Sequence, residues 1–269
     1  MATALTNPVI VVPGITASVL RDEYDLDAKR VWNIFRKHYD RVYLHPDDTH
    51  YERQEPARVR ADQVFDIPYN EFINTLRHDL SPSEDRVTPV FPFAYDWRQP
   101  LDDLEIELGA FVDEVMERTA LMPHYYKAGY PRKPKVNLVG HSMGGLIIAG
   151  YIERYGKDAA VDKVVTLGTP FRGSLESILK ITTGLSTIGG KSESCQRELA
   201  RLTPSLYHLL PSFRGAVCLE KKKQNDPNVR LSAYEPENWQ PGVTKTIAEY
   251  IRLHGRDASL SKTQREKNA

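Results

Sequence analysis

The chain is predicted to be an α/β protein, with a parallel sheet flanked by helices and a mostly helical region after it. Three observations lead there. Pro8-Val9-Ile10-Val11-Val12 and Lys163-Val164-Val165-Thr166-Leu167 are short β-branched runs cut off by Pro-Gly and Gly-Thr-Pro turns. Between them lie stretches with apolar residues at helical spacing, an alternation that implies parallel strands joined by crossover helices. Third, Gly140-His141-Ser142-Met143-Gly144 follows the apolar run 135–139 and precedes the apolar run 146–152. Strand, sharp turn and helix therefore coincide on one serine.

In chain order, residues 8–12 read as a buried parallel strand closed by Pro13-Gly14. Residues 21–60 are charged and irregular, an excursion over the surface. Residues 69–80 carry Phe72, Ile73, Leu76 and Leu80 at helical spacing. Residues 87–95 form a strand made irregular by Pro89 and Pro92. Residues 101–122 are an amphipathic helix with Leu104, Leu108, Phe111, Val112, Val115 and Met116 on one face. The helix after Ser142 stops near Gly156. Beyond Pro170 the pattern changes. Segments 174–188, 194–210 and 243–253 look helical, and 216–234 holds two short extended pieces. The expected organisation is a core over 1–170, a cap over 171–254 and a polar tail over 255–269.

Composition narrows the function. With 269 residues and a formal net charge of zero, nothing argues for nucleic acid as a partner. No run of about 18 apolar residues occurs, and no basic leader precedes the first strand, so a cytoplasmic protein is expected. Cys195 and Cys218 do not make a disulfide framework. His45-Pro46-Asp47-Asp48-Thr49-His50 offers metal-ligand types at a spacing that matches no common zinc site, so neither a metal nor a cofactor is expected.

The chemistry centres on Ser142. A serine attacks an ester only when it is exposed and a neighbouring base takes its proton. The strand-to-helix turn supplies exposure, and Gly140 and Gly144 let strand and helix pass closely beside it. The developing oxyanion needs pre-aimed backbone N–H donors, the first being that of Met143. His141 is adjacent in sequence, and its side chain is expected to point away and pack.

Several segments together resemble the lecithin:cholesterol acyltransferase family of α/β-hydrolases. They are Val12-Pro13-Gly14-Ile15, Tyr95-Asp96-Trp97-Arg98, Gly140-His141-Ser142-Met143-Gly144-Gly145, Leu167-Gly168-Thr169-Pro170-Phe171-Arg172-Gly173-Ser174 and Leu209-Leu210-Pro211-Ser212, in the family's order over roughly residues 8–255. The resemblance implies an α/β-hydrolase-like sheet and acyl chemistry on lipid esters, as a phospholipase or as an acyltransferase to an alcohol. It places the second oxyanion donor at Ile15 and Trp97 in the acyl pocket. Asp96 and Arg98 are expected to hold their loop by hydrogen bonds. In the cap, Leu175, Ile178, Leu179, Leu185 and Ile188 read first as core and second as a lipid-facing surface. Lys221-Lys222-Lys223 reads as a solvated loop, with contact to an anionic membrane surface as the alternative.

A hydrolase of this kind needs an acid and then a histidine after its nucleophile, on loops that follow later strands. No such strands are recognisable. His208, His254, Asp226 and Asp257 are the late candidates, and none follows a buried strand. The sheet is therefore expected to be incomplete on its C-terminal side, leaving an apolar edge at 163–167 unless the extended cap segments cover it. Three readings follow: a lipid acyltransferase or phospholipase working through an acyl-enzyme on Ser142, a general carboxylesterase, or a catalytically incomplete chain that binds lipid or a partner. Oligomeric state is not legible.

Overall fold

The computed structural model describes residues 5–23, 27–35, 37–44, 59–185, 193–213, 216–218 and 230–254. They fall into two compact units, Met1–Lys37 with Arg60–Pro170, and His38–Val59 with Phe171–Ala269. Strands are β1 (Val9–Val12), β2 (Ser18–Asp22), β3 (Lys29–Trp32), β4 (Val59–Val64), β5 (Val90–Pro92), β6 (Val136–His141), β7 (Val161–Leu167), β8 (Val217–Cys218) and β9 (Arg230–Leu231). Helices are α1 (Tyr39–Val42), α2 (Asp66–Leu80), α3 (Leu101–Ala120), α4 (Pro123–Lys127), α5 (Met143–Tyr155), α6 (Leu175–Thr183), α7 (Glu193–Arg201), α8 (Pro204–His208) and α9 (Pro241–His254).

The first unit is an α/β layer structure around a four-stranded parallel sheet of order β5-β1-β6-β7. Val9-Ile10-Val11-Val12 is buried along its whole length because β1 has a neighbour on each edge and helices over each face. Val9 and Val11 join Val90 and Val139 in a cluster covered by Tyr69 and Ile73 of α2, with Phe72, Leu76 and Leu80 packed against it. On α3, Leu101, Leu104, Leu108, Val112 and Val115 are buried at three- and four-residue spacing, and α3 packs on α5. At about 25 cal/mol per Å² of apolar surface, this shared burial is what holds the helices to the sheet.

β7 behaves differently from the other core strands. It pairs with β6 alone among the described residues. Val164, Val165 and Leu167 are 40%, 51% and 40% exposed. A sheet covered on both faces is thus not what β7 experiences, and among the described residues the apolar edge anticipated for 163–167 has no partner strand. The extended segments considered as its cover, β8 and β9, pair antiparallel with each other.

The segment anticipated as irregular contains unforeseen order. β3, β2 and β4 form a small sheet, with β2 and β3 antiparallel. Charged side chains had hidden it: Arg21 and Arg30 both reach the Asp62 carboxylate, at 3.5 and 3.4 Å. Their sequence signature is ionic rather than apolar, while Val19, Leu20, Val31 and Trp32 supply the buried side. A further difference concerns residues 38–59, which group with 171–269 instead of with the core. Val42 and Leu44 are buried, α1 packs on α7, and the Tyr43 hydroxyl donates to Glu198 at 3.2 Å. Burial pushes the Tyr43 phenol well above its usual range, with Glu198 adding to the shift.

In the second unit the anticipated helix 194–210 is broken into α7 and α8 at Thr203-Pro204, where proline removes a backbone donor. The Ser174 hydroxyl caps α6 by accepting from the Glu176 N–H at 3.2 Å. The core reading of Leu175 and Leu179 of α6, and of Leu185 beyond its end, does not hold. Leu175, Leu179 and Leu185 are each more than half exposed, while Ile181 is fully buried. The helix buries one narrow stripe and leaves the other apolar stripe open. Ile188, the lysine run 221–223, the cluster 45–50 and the tail 255–269 lie outside the described residues.

Candidate active site

Ser142 sits at φ +52°, ψ −124°, between β6 and α5. A non-glycine residue pays to be there, and the surroundings hold it. Its N–H donates to the Leu167 carbonyl at 2.8 Å, and its own carbonyl accepts the Gly145 N–H at 3.1 Å. Gly144 passes so near β1 that a Cβ would overlap the Val12 and Pro13 carbonyl oxygens. This is why the motif needs glycine at that position: the helix start runs against the neighbouring strand backbone. Ser142 itself is half-buried, Met143 is buried and His141 is exposed.

The loop after β1 lies against this turn. An added Cβ on Gly14 would come 3.2 Å from both the Ser142 Cβ and the His141 Nδ1. Three side chains fix the loop. Tyr95 donates its hydroxyl to the Pro13 carbonyl at 2.8 Å. Tyr69 accepts the Gly14 N–H at 3.0 Å. Trp32 donates its Nε1–H to the Thr16 carbonyl at 3.1 Å. Thr16, at φ +64°, holds a left-handed conformation that this pinning supports. The half-buried Ile15 and the buried Met143 then have backbone N–H groups with no protein acceptor among the described residues.

His141 is not simply packed, as its sequence position had suggested. Its Nδ1 lies 2.7 Å from the Tyr69 hydroxyl. Burial raises the Tyr69 phenol above its ordinary value, and the Gly14 N–H partly opposes this. Tyr95 is raised well above its ordinary value by complete burial.

The Tyr95-Asp96-Trp97-Arg98 segment is a buried structural unit. Asp96 accepts from Arg98 Nε at 2.8 Å and from Nη2 at 2.7 Å, and Gln99 adds a third donor at 3.2 Å. Arg98 is 1% exposed, so the pair satisfies a charge that could not otherwise be buried. Trp97 is equally buried, its ring 4.9 Å from that of Trp32.

No described imidazole of the first unit is hydrogen-bonded to Ser142. His141 bonds Tyr69, His124 bonds the Val87 carbonyl, and His78 pairs with Asp79 on the surface. In the second unit, His208 is exposed at the end of α8. The His254 side chain, Asp226 and Asp257 fall outside the described residues. Among the described residues no group of three or more His, Cys, Asp or Glu side chains could hold a metal ion. None of the described helices is long and apolar enough to cross a membrane. Cys195 is half-buried and in no disulfide among the described residues.

Further along, two segments meet within the second unit. The Ser174 N–H and the Ser177 hydroxyl both donate to the Leu209 carbonyl, and the Ser212 N–H donates to the Arg172 carbonyl. Gly173, at φ +84°, lies against the Leu210 carbonyl, where a Cβ would not fit. Segments 171–174 and 209–212 are therefore one local structure joined by backbone bonds.

The family model for lecithin:cholesterol acyltransferase matches residues 85–241, more than half of the chain. A curated protein, lecithin-cholesterol acyltransferase-like 4 of Arabidopsis thaliana, is 25% identical over 244 residues, covering 77% of this chain and 44% of its own length. The chain thus spans under half the length of that relative. Among solved structures, the Tle4–Tli4 complex contains a chain 18% identical to this one, with a TM-score of 0.57, covering 77% of this chain and 54% of its own. That likeness concerns the fold. The mature Bacillus licheniformis lipase BlEst2 is 16% identical at a TM-score of 0.35, over 78% of this chain and 58% of its own.

Proposed function

The chain belongs to the lecithin:cholesterol acyltransferase family, and from that premise we propose that it transfers acyl groups from lipid esters through an acyl-enzyme on Ser142. Family membership supports acyltransferase- or esterase-type chemistry on lipids in the broad sense. The observation that carries the finer reading is the pair of unclaimed amides, Ile15 and Met143, on the two segments that flank Ser142.

In this reading the Ser142 Oγ attacks the ester carbonyl carbon while a base takes its proton. The carbonyl π electrons move to oxygen, and the Ile15 and Met143 N–H groups stabilise that oxyanion. Collapse expels the alcohol, which recovers the proton, and leaves the acyl group on Ser142. Water or an acceptor alcohol then attacks the acyl-enzyme, giving hydrolysis or transfer. The exposed Phe171, Leu175, Leu179, Leu185 and Phe213 of the second unit suit contact with acyl chains or a membrane surface. In the same reading Trp97, buried against Trp32, forms the wall of the acyl pocket. A general carboxylesterase would prefer short soluble esters over long acyl chains on micelles.

A second reading is favoured by one observation: the described imidazoles of the first unit are all engaged away from Ser142. It is a chain that carries the nucleophile but not its acid–base pair, and binds lipid or a partner. Intact-mass analysis after incubation with a fluorophosphonate, run beside Ser142→Ala, separates the two. A stoichiometric adduct on the parent protein alone means an activated serine, with His208 and His254 the next residues to replace. Folded protein that takes no adduct means the second reading.

A further inference from the structure

Tyr69 stands on α2, distant in sequence from both segments it touches. Its hydroxyl accepts the Gly14 N–H at 3.0 Å and lies 2.7 Å from His141 Nδ1. A phenol has one hydrogen and two acceptor lone pairs. With the Gly14 N–H on one lone pair, the phenol has both its hydrogen and a second lone pair for Nδ1, so the link to the imidazole is made in either tautomer. Among the described residues, Tyr69 is the one side chain hydrogen-bonded both to the loop after β1 and to the turn that carries Ser142. Tyr95 and Trp32 hold the same loop, but neither reaches the turn.

We propose that Tyr69 is a positioning residue, whose hydroxyl locks the Pro13–Thr16 loop to the His141–Ser142 turn so that the Ile15 amide stays aimed at the space above Ser142. The bond uses up the Gly14 N–H and thereby sets which amide of the loop is left for an oxyanion. It also spans the gap whose width decides the two-donor geometry, since Gly14 and Ser142 are in near contact. A displacement of about 1 Å between a donor and a reacting group lowers a rate by about 100-fold. The ring has a separate role. It is 6% exposed and packs with Val11 and Val139, so removing only the oxygen leaves the packing in place.

This inference rests on the reading of Ser142 as the nucleophile, and its test separates the two. The second-order rate of fluorophosphonate labelling at Ser142 is compared in parent, Tyr69→Phe and Tyr130→Phe proteins. Hydrogen exchange at the Gly14 amide is followed alongside. Tyr130 is a buried tyrosine whose hydroxyl donates to the Lys135 carbonyl at 2.8 Å, remote from Ser142 in its bonding, and it reports the loss of any buried phenol oxygen. The expected result is labelling slowed about 10- to 100-fold in Tyr69→Phe, faster Gly14 exchange, and a parent-like rate in Tyr130→Phe. Parent-rate labelling of Tyr69→Phe, or slowed labelling with unchanged Gly14 exchange, overturns the proposal. If the parent takes no label, the reading of Ser142 fails, and Gly14 exchange alone decides the lock: faster exchange supports it and unchanged exchange overturns it. Should Tyr69→Phe not fold, His141→Ala removes the turn half of the link from an exposed position. Slower labelling then supports the lock, and a parent rate overturns it.

Discussion

The Ser142 N–H donates to the Leu167 carbonyl at 2.8 Å, so the strained serine turn is suspended from the last residue of β7, at the end of the described sheet. The strand that fixes the turn is also the least covered strand of the sheet. Among the described residues nothing pairs with its other edge, which sets backbone donors and acceptors beside exposed valines, a template for pairing with another chain. Val165→Lys, at a side chain 51% exposed, is expected to lower concentration-dependent light scattering while moving unfolding free energy by no more than about 0.5 kcal/mol. Unchanged scattering in the lysine variant would mean that β7 is not the site of association.

Backbone strain at Ser142 has a measurable cost. At φ +52° a Cβ is disfavoured and glycine is not. Ser142→Gly should therefore be more stable than Ser142→Ala by about 1–2 kcal/mol in denaturant unfolding. Equal stabilities would show that the turn relaxes once the hydroxyl is gone.

The Asp96–Arg98 pair should be expensive to break from one side. Arg98 is 1% exposed and receives its two close carboxylate contacts from Asp96. Asp96→Ala takes the two close carboxylate contacts away from a buried guanidinium, and a loss of about 3 kcal/mol or more is expected from denaturant midpoints. A loss below about 1 kcal/mol would mean that water reaches the guanidinium.

Alkaline pH should weaken the fold through Tyr95. Its phenol is held well above the ordinary value of 10.0 by burial, with Tyr69 adding to the shift. The folded state keeps this proton where the unfolded state releases it. The contribution is therefore complete below about pH 10 and declines as pH rises above it. Denaturant midpoints at pH 9 and pH 11 should show the fall, and Tyr95→Phe should show a shallower one. A variant with the parent slope would assign the alkaline loss to other groups.

Much of the core was legible because its signals are local. Four β-branched residues at 9–12 and the glycine-flanked serine at 142 encode a strand and a strained turn within a few positions. The α3 stripe was legible for the same reason. The small β2–β3–β4 sheet was not, because its pairs are ionic and resemble surface loop. The break between α7 and α8 was marked by Pro204 and could have been read there.

The residues nearest in sequence thus settled the fold class, the strained turn at Ser142 and the family. Three-dimensional closure settled the rest. It brought Tyr69 to Gly14 and His141, grouped residues 38–59 with the second unit, and left β7 and one stripe of α6 exposed. The division has a physical origin. Strand, turn and helix preferences arise from interactions over a few residues, so they leave a pattern in the chain. A hydrogen bond across 55 or 72 residues exists only after packing has set the distance, and a single tyrosine among 14 carries no mark of it beforehand.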